Sequence, residues 1–230
     1  MFRANLRVLY GVNIGARALR RYTTAPESHF HLFPKSFPSG GPPKDSFVTN
    51  LRSLRREYRA LQSEHHPDVV MGSSVLSEST TGTCANDGAS SAINEAYSTL
   101  RNPYTRAAYV IRLQHPDHVD ITQDDVSKSF IAGLQNSSKE QSLNYKTLLM
   151  TVLEAHEALE SAASEEDLSA LEEENTSRIR QSEQDLDALL AASPVSWEDF
   201  IIETIKLKYW VNIANGIKDW EPGKPVLLTH

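Results

Sequence analysis

The sequence predicts an all-α protein in two parts, a small helical hairpin followed by a three-helix bundle. Three observations carry that reading. Apolar residues recur at i, i+3 and i+4 in several separate stretches, and no stretch sustains the alternation of a half-buried strand. Beyond residue 120 the texture becomes acid-rich and helical, with little proline or glycine.

The 230 residues, 40% hydrophobic, suffice for one ordinary domain or two small ones. Net charge is -7, but it is unevenly spread. Residues 1–26 carry Arg3, Arg7, Arg17, Arg20 and Arg21 and no acid, which leaves 18 basic against 30 acidic residues, or -12, in the rest. An Arg-rich, acid-free, mildly apolar start has the composition of a mitochondrial presequence, with a matrix-protease cut expected near Tyr22. Its apolar positions are too few and too interrupted for a secretory signal or a membrane span, and no run elsewhere reaches membrane length. The acidic body argues against nucleic acid as partner. Cys84 is the only cysteine, so a disulfide framework and any Cys-based zinc or iron–sulfur site within the chain are excluded. No cofactor is expected.

Residues 30–46 are punctuated by Pro, Gly and Ser and read as a short apolar turn and then a loop. In "FVTNLRSLRREYRALQSEH", Leu51, Leu54, Tyr58, Leu61 and His65 line one helix face, and Pro67 is expected to stop it. Residues 69–90, rich in Ser, Thr and Gly, read as a long loop that includes at most the first turn of the next helix. "SAINEAYSTLRN" then gives the stripe Ile93, Ala96, Tyr97 and Leu100, ended at Asn102-Pro103, and "YTRAAYVIRL" adds a short further element. Residues 115–141 read as a linker and the start of the second part. Three helices follow at roughly 142–162, 164–191 and 197–219, short connections making them an antiparallel bundle. Ser196 and Asp199 suit a capping box on the last. Residues 222–230 are a tail.

Two features point to binding. At about 100° per residue, Arg52, Arg55, Arg56 and Arg59 share a face beside the apolar stripe, a compact positive patch suited to an acidic partner surface. The helix that bears them runs into His66-Pro67-Asp68, a tripeptide repeated at His115-Pro116-Asp117. The first copy has a basic helix before it and an apolar helix, "NEAYSTLRNPYTRAAY", after it. The second lacks a basic helix and is followed by "DITQDD", ordinary linker and helix-start chemistry.

Basic helix, tripeptide and returning apolar helix together resemble the J-domain of J-protein co-chaperones, spanning residues 27–114. That resemblance implies that His66, Pro67 and Asp68, with Arg52, Arg55, Arg56 and Arg59, engage the ATPase domain of a heat-shock-70-class chaperone and stimulate ATP hydrolysis there.

In "YKTLLMTVLEAHEALE" the helical wheel puts Leu148, Val152, Ala155 and Leu159 on one side, enough to bury the helix in a bundle. Leu149, Met150 and Leu153 lie on another face, joined by Glu154 and Glu157. An apolar cluster edged with acids is what a protein-binding helix face needs, although a further helix covering both faces would produce the same pattern. A J-domain followed by a three-helix domain (residues 142–221) opened by this pattern is similar to the HscB-type or Jac-type co-chaperones of iron–sulfur cluster biogenesis. The resemblance covers residues 29–220. It implies that Leu149, Met150, Leu153, Glu154 and Glu157 bind the iron–sulfur cluster scaffold protein, and that Tyr209 on the last helix completes that surface. The neighbouring Trp210 is expected in the core. Some relatives carry an N-terminal cysteine-rich zinc segment, from which this sequence departs.

The resemblance thus implies a mitochondrial-matrix co-chaperone without catalytic activity, whose partners are the scaffold and the chaperone. One alternative is a J-protein with a different client. Another is a metal-dependent hydrolase using His65, His66, Asp68, His115, Asp117 and His118, since imidazole and carboxylate suit divalent metals. None of these histidines lies in an H-E-x-x-H pattern, which would place a glutamate general base between two zinc ligands on one helix.

Overall fold

The computed structural model describes residues 28–65, 83–136 and 139–222. After a 3-10 turn at His29–Leu32, seven helices follow: α1 (Leu51–His65), α2 (Thr83–Arg101), α3 (Pro103–Gln114), α4 (Asp124–Asn136), α5 (Lys139–Ser161), α6 (Glu165–Ala191) and α7 (Trp197–Lys218). Among the described residues there is no strand, and the all-α expectation holds. The presequence assignment to residues 1–26 lies outside the described residues, as do His66, Pro67 and Asp68.

The N-terminal half is a helical hairpin with a strap. α1 packs on α2, and α2 on α3. Leu54 is fully buried and Tyr58 stacks on Tyr97 at 4.0 Å between ring centroids. The hairpin is further zipped by Gln62 and Tyr58, which both donate to the Asn94 Oδ1 at 2.7 Å. Leu51, expected on the apolar stripe, is exposed at the first helical position, while Glu57 is buried in its place. The Glu57 carboxylate accepts the backbone N–H groups of Lys35 and Ser36, each at 2.8 Å, and so holds the preceding segment against the helix. That segment inserts Phe30, Phe33, Phe37 and Phe47 into the core. Gly41, at φ +101°, is where the strap turns against the Phe30 ring, and a side chain there would collide with it.

α3 begins as its sequence suggests. Asn102 is the N-cap, its side chain accepting from Tyr104 N–H at 2.9 Å, with Pro103 at the first helical position.

The C-terminal helices α5, α6 and α7 lie close to their expected bounds. At the start of α6 the Asp167 carboxylate accepts the N–H groups of Ala163 and Ser164, both at 3.0 Å, which holds its acidity stronger than usual. The capping box expected for α7 is not formed. Ser196 Oγ donates instead to the Asp199 carboxylate at 2.6 Å and makes no cap bond to the backbone.

Two further boundaries differ from expectation. α2 begins at Thr83, so two turns of helix occupy the end of the stretch read as a loop to residue 90. Intrinsic propensity is low there, and the hydrogen bonds of Ser90 with Gln62 tie the end of these turns to α1. Within 115–141, α4 is a full helix of 13 residues, started by Asp124 and Asp125 in its first turn.

The halves are joined by a continuous core. One cluster runs from the four phenylalanines through Leu54, Ile93 and Leu100 to Leu186, Phe200, Ile201 and Ile205 of α6 and α7. At its centre Arg106 of α3 is fully buried. Its guanidinium donates to the Leu100 carbonyl at 2.7 Å and to Glu183 of α6 at 2.5 Å, and lies 4.7 Å from the Phe47 ring centroid. Beside it, Asp187 accepts from Phe47 N–H at 2.6 Å. A second, smaller cluster, including Tyr145, Leu148, Val152, Ala155, Trp210 and Ile213, holds α5 on α7. Trp210 is in the core, as expected.

Candidate functional site

Two surfaces stand out, one in each half. On α1, burial of Leu54 and Glu57 turns Arg52, Arg55, Arg56 and Arg59 outward, and all four are exposed. About 100° per residue puts them within a 100° arc, so the hairpin displays a continuous cationic strip. The connection 66–82, which contains His66-Pro67-Asp68, lies between α1 and α2 in the chain and outside the described residues.

The second tripeptide is fully described, and its parts serve the fold. His115 is the C-cap residue of α3, with its N–H bonded to Ile111 O and its ring edge-on to Trp197 of α7 at 5.6 Å. The His115 Nδ1 accepts from Asp117 N–H at 3.1 Å, and the His118 ring contacts the Arg112 carbonyl at 3.0 Å. These bonds build the turn that leads from α3 towards α4. Of the six residues of the metal reading, His65, His66 and Asp68 have no described side chain, and His115, Asp117 and His118 are bound into this turn.

On α5 the two faces separate sharply. Leu148, Val152, Ala155 and Leu159 are buried, at 8%, 8%, 3% and 0% exposure, whereas Leu149, Met150 and Leu153 are 37%, 64% and 58% exposed. Glu154 and Glu157 are exposed beside them. No other helix covers the outer face, so the alternative of a helix over both faces is excluded among the described residues. Tyr209 is half-buried on α7, its hydroxyl 3.3 Å from that of Tyr145 on α5. Burial and that neighbouring hydroxyl push the Tyr145 ionisation well above the usual phenol range, so Tyr145 remains a neutral hydrogen-bonding partner. Leu149 and Tyr209 meet in one cleft between α5 and α7, while Met150, Leu153, Glu154 and Glu157 continue from Leu149 around the α5 surface.

Leu143, 63% exposed, extends the outer row by two turns and was not among the expected residues. The signal was present in the sequence, since Leu143 precedes Met150 by seven residues, two helical turns on the same face. Chemically the outer face offers apolar area for burial and carboxylates to orient a basic neighbour.

Comparison with known proteins agrees with both halves. The family model described as the HSCB C-terminal oligomerisation domain matches residues 144–218. The J-type co-chaperone JAC1, mitochondrial, of Saccharomyces cerevisiae is 32% identical over 213 residues, covering 92% of this chain and 96% of the relative. The iron-sulfur cluster co-chaperone protein HscB of Mus musculus is 28% identical over 174 residues, 75% of this chain and 63% of that one. Among solved structures, the Jac1 co-chaperone from Saccharomyces cerevisiae (5-182 clone) superposes with a TM-score of 0.57 at 30% identity, covering 89% of this chain and 98% of that one. Chaperone HscB from Vibrio cholerae does so at 0.52 and 26% identity, over 83% and 95% of the two chains.

Proposed function

Because the chain belongs to the Jac1/HscB family of J-type co-chaperones, we propose that it delivers the iron–sulfur cluster scaffold protein to a heat-shock-70-class chaperone in the mitochondrial matrix. Location rests on the Arg-rich, acid-free residues 1–26 and on relatives whose names are mitochondrial. The observation that carries the client assignment is the outer row of α5. Three large apolar side chains, Leu149, Met150 and Leu153, stand exposed on a helix already buried along its other face. Apolar exposure of this kind marks a binding surface when it is contiguous and rimmed by polar groups, and Glu154 and Glu157 supply the rim.

The mechanism follows from the two surfaces. Scaffold docks on the outer row and Tyr209. The arginine strip, Arg52, Arg55, Arg56 and Arg59, steers an acidic surface of the chaperone onto α1. His66, Pro67 and Asp68, which follow α1 in the chain, trigger hydrolysis of the chaperone's ATP. The shared core makes the halves one packed body, so the outer row of α5 and the arginine strip of α1 are held in a fixed relation while both partners are bound. Hydrolysis traps the scaffold on the chaperone, and the cluster passes to recipients. The bond-breaking belongs to the chaperone; this chain binds and positions and is not itself an enzyme.

The test is steady-state ATP hydrolysis by the chaperone with this protein, with and without scaffold. Wild type should stimulate hydrolysis, and more strongly with scaffold present. His66→Gln should abolish stimulation while scaffold binding persists, and His115→Gln should leave it unchanged. Equal loss in both variants, or stimulation indifferent to His66, would refute the assignment of the trigger.

A further inference from the structure

The outer row of α5 has a neighbour that the sequence did not announce. Helices α4, α5 and α7 enclose a cleft of about 430 Å³. The apolar part of its wall is formed by Ile131 of α4, Leu149 and Val152 of α5, and Ile205 and Tyr209 of α7. Leu149 and Tyr209 belong to both surfaces, so the outer row and the cleft are continuous. Lys128 and Lys208 also line the cleft, against the single acid Asp124. Lys128 is exposed, and Lys208 is half-buried, its ammonium 6.0 Å from the Tyr104 ring centroid.

The charges are arranged about a ridge. At about 100° per residue, Val152 falls on one side of the Leu149–Leu153 line and Glu154 and Glu157 fall on the other. A segment crossing α5 therefore meets a lysine-lined apolar hollow on one flank and a carboxylate row on the opposite flank. The pattern is directional. A partner laid across in the reverse sense would bring its acids onto Glu154 and Glu157 and its bases onto the lysines.

We propose that the cleft receives an apolar anchor side chain of the scaffold protein, with an acidic residue of that protein beside the anchor facing Lys128 and basic residues across the ridge facing Glu154 and Glu157. This rests on the reading that scaffold binds the outer row, and it makes α4 part of the recognition surface. An apolar side chain seated in such a hollow is desolvated on several sides at once, which is where interface residues contribute most. The lysines add orientation and association rate more than affinity.

Isothermal titration of the full chain with purified scaffold tests this, with Leu149→Ala/Leu153→Ala as a parallel variant. Lys128→Glu, at an exposed position, should leave the melting temperature unchanged and weaken scaffold binding by about five- to tenfold at low salt, and less at high salt. A benzoyl-phenylalanine photo-crosslinker in place of Lys128 should capture the scaffold. Unchanged affinity of Lys128→Glu overturns the proposal. So does weakening without a crosslink to scaffold, which would be a field effect at a distance, or a crosslink only to a second copy of this chain. If the leucine pair loses binding while Lys128→Glu does not, the cleft proposal alone falls. If the leucine pair also binds like wild type, the reading beneath it falls too.

Discussion

The inner and outer rows of α5 contain the same kinds of side chain in different surroundings. Leu148, Val152 and Leu159 pack against neighbouring helices, whereas Leu149, Met150 and Leu153, one or two residues away in the chain, face outward. In the proposed reading, a displacement of about 100° around the helix axis decides whether a leucine contributes to the fold or to a partner. Composition cannot tell the two apart, but substitution can, because loss of the inner row is felt as stability and loss of the outer row as affinity.

The largest stability effect is expected outside both rows, at the seam between the halves. Arg106→Ala removes one member of a buried pair and leaves Glu183 facing a cavity, so unfolding free energy should fall by about 3–5 kcal/mol, measured by urea titration. The two halves should then melt separately if the seam is what couples them. Within α5, Leu159→Ala on the inner row should cost about 2–5 kcal/mol, since Leu159 is fully buried, while the remaining folded protein binds scaffold as before. Met150→Ala on the outer row reverses the pattern. Stability should change by less than about 0.5 kcal/mol, because Met150 is 64% exposed, and scaffold affinity should fall by about tenfold. An outer-row substitution that unfolds the protein, or an inner-row one that selectively abolishes binding, would break the comparison.

The smallest effect belongs to His29, which touches neither row. Burial lowers the imidazole ionisation below its ordinary 6.5, Glu95 opposing and Arg112 reinforcing, while the ring stacks on Tyr109 at 4.4 Å. A group depressed in the folded state takes up its proton more readily when unfolded. Its stabilisation is therefore complete above about pH 6.5 and is lost as pH falls through the lower folded value. Melting curves of wild type and His29→Gln between pH 7.5 and about pH 5 should show a slightly steeper loss in the wild type.

Much of this was legible in the sequence because helices that bury one face write a period of 3.6 residues. The inner and outer rows, the four outward arginines and the positions of α5, α6 and α7 all follow from that period and from Pro67, Asn102-Pro103 and Ser196 as stops and starts. What was not legible depends on partners distant in the chain. Arg106 sits in an apolar run with nothing local to show that Glu183 and Phe47 enclose it. Glu57 lies among arginines and reads as solvated, yet the backbone of Lys35 and Ser36 draws it inside. The N-terminal two turns of α2 run through poor helix formers, and the bonds that tie them to α1, Ser90 with Gln62, come from a partner distant in the chain. α4 does carry an amphipathic pattern, with Val126, Phe130, Ile131 and Leu134 at helical spacing, but it falls in the stretch read as a linker, and so the cleft it makes with α5 and α7 was missed too. The paired tripeptides show the same division. Sequence context assigns them different roles, and for the second copy the structure adds how it serves the fold, with His115 held against Trp197.

The central claim is that the outer row of α5, completed by Tyr209, is where the scaffold binds. Isothermal titration of purified iron–sulfur cluster scaffold into wild type and into Leu149→Ala/Leu153→Ala/Tyr209→Ala tests it most directly, with thermal unfolding run on the same samples. The account predicts saturable binding to wild type and loss of affinity by at least about a hundredfold in a triple variant that still folds. Undiminished binding by the folded triple variant would contradict it.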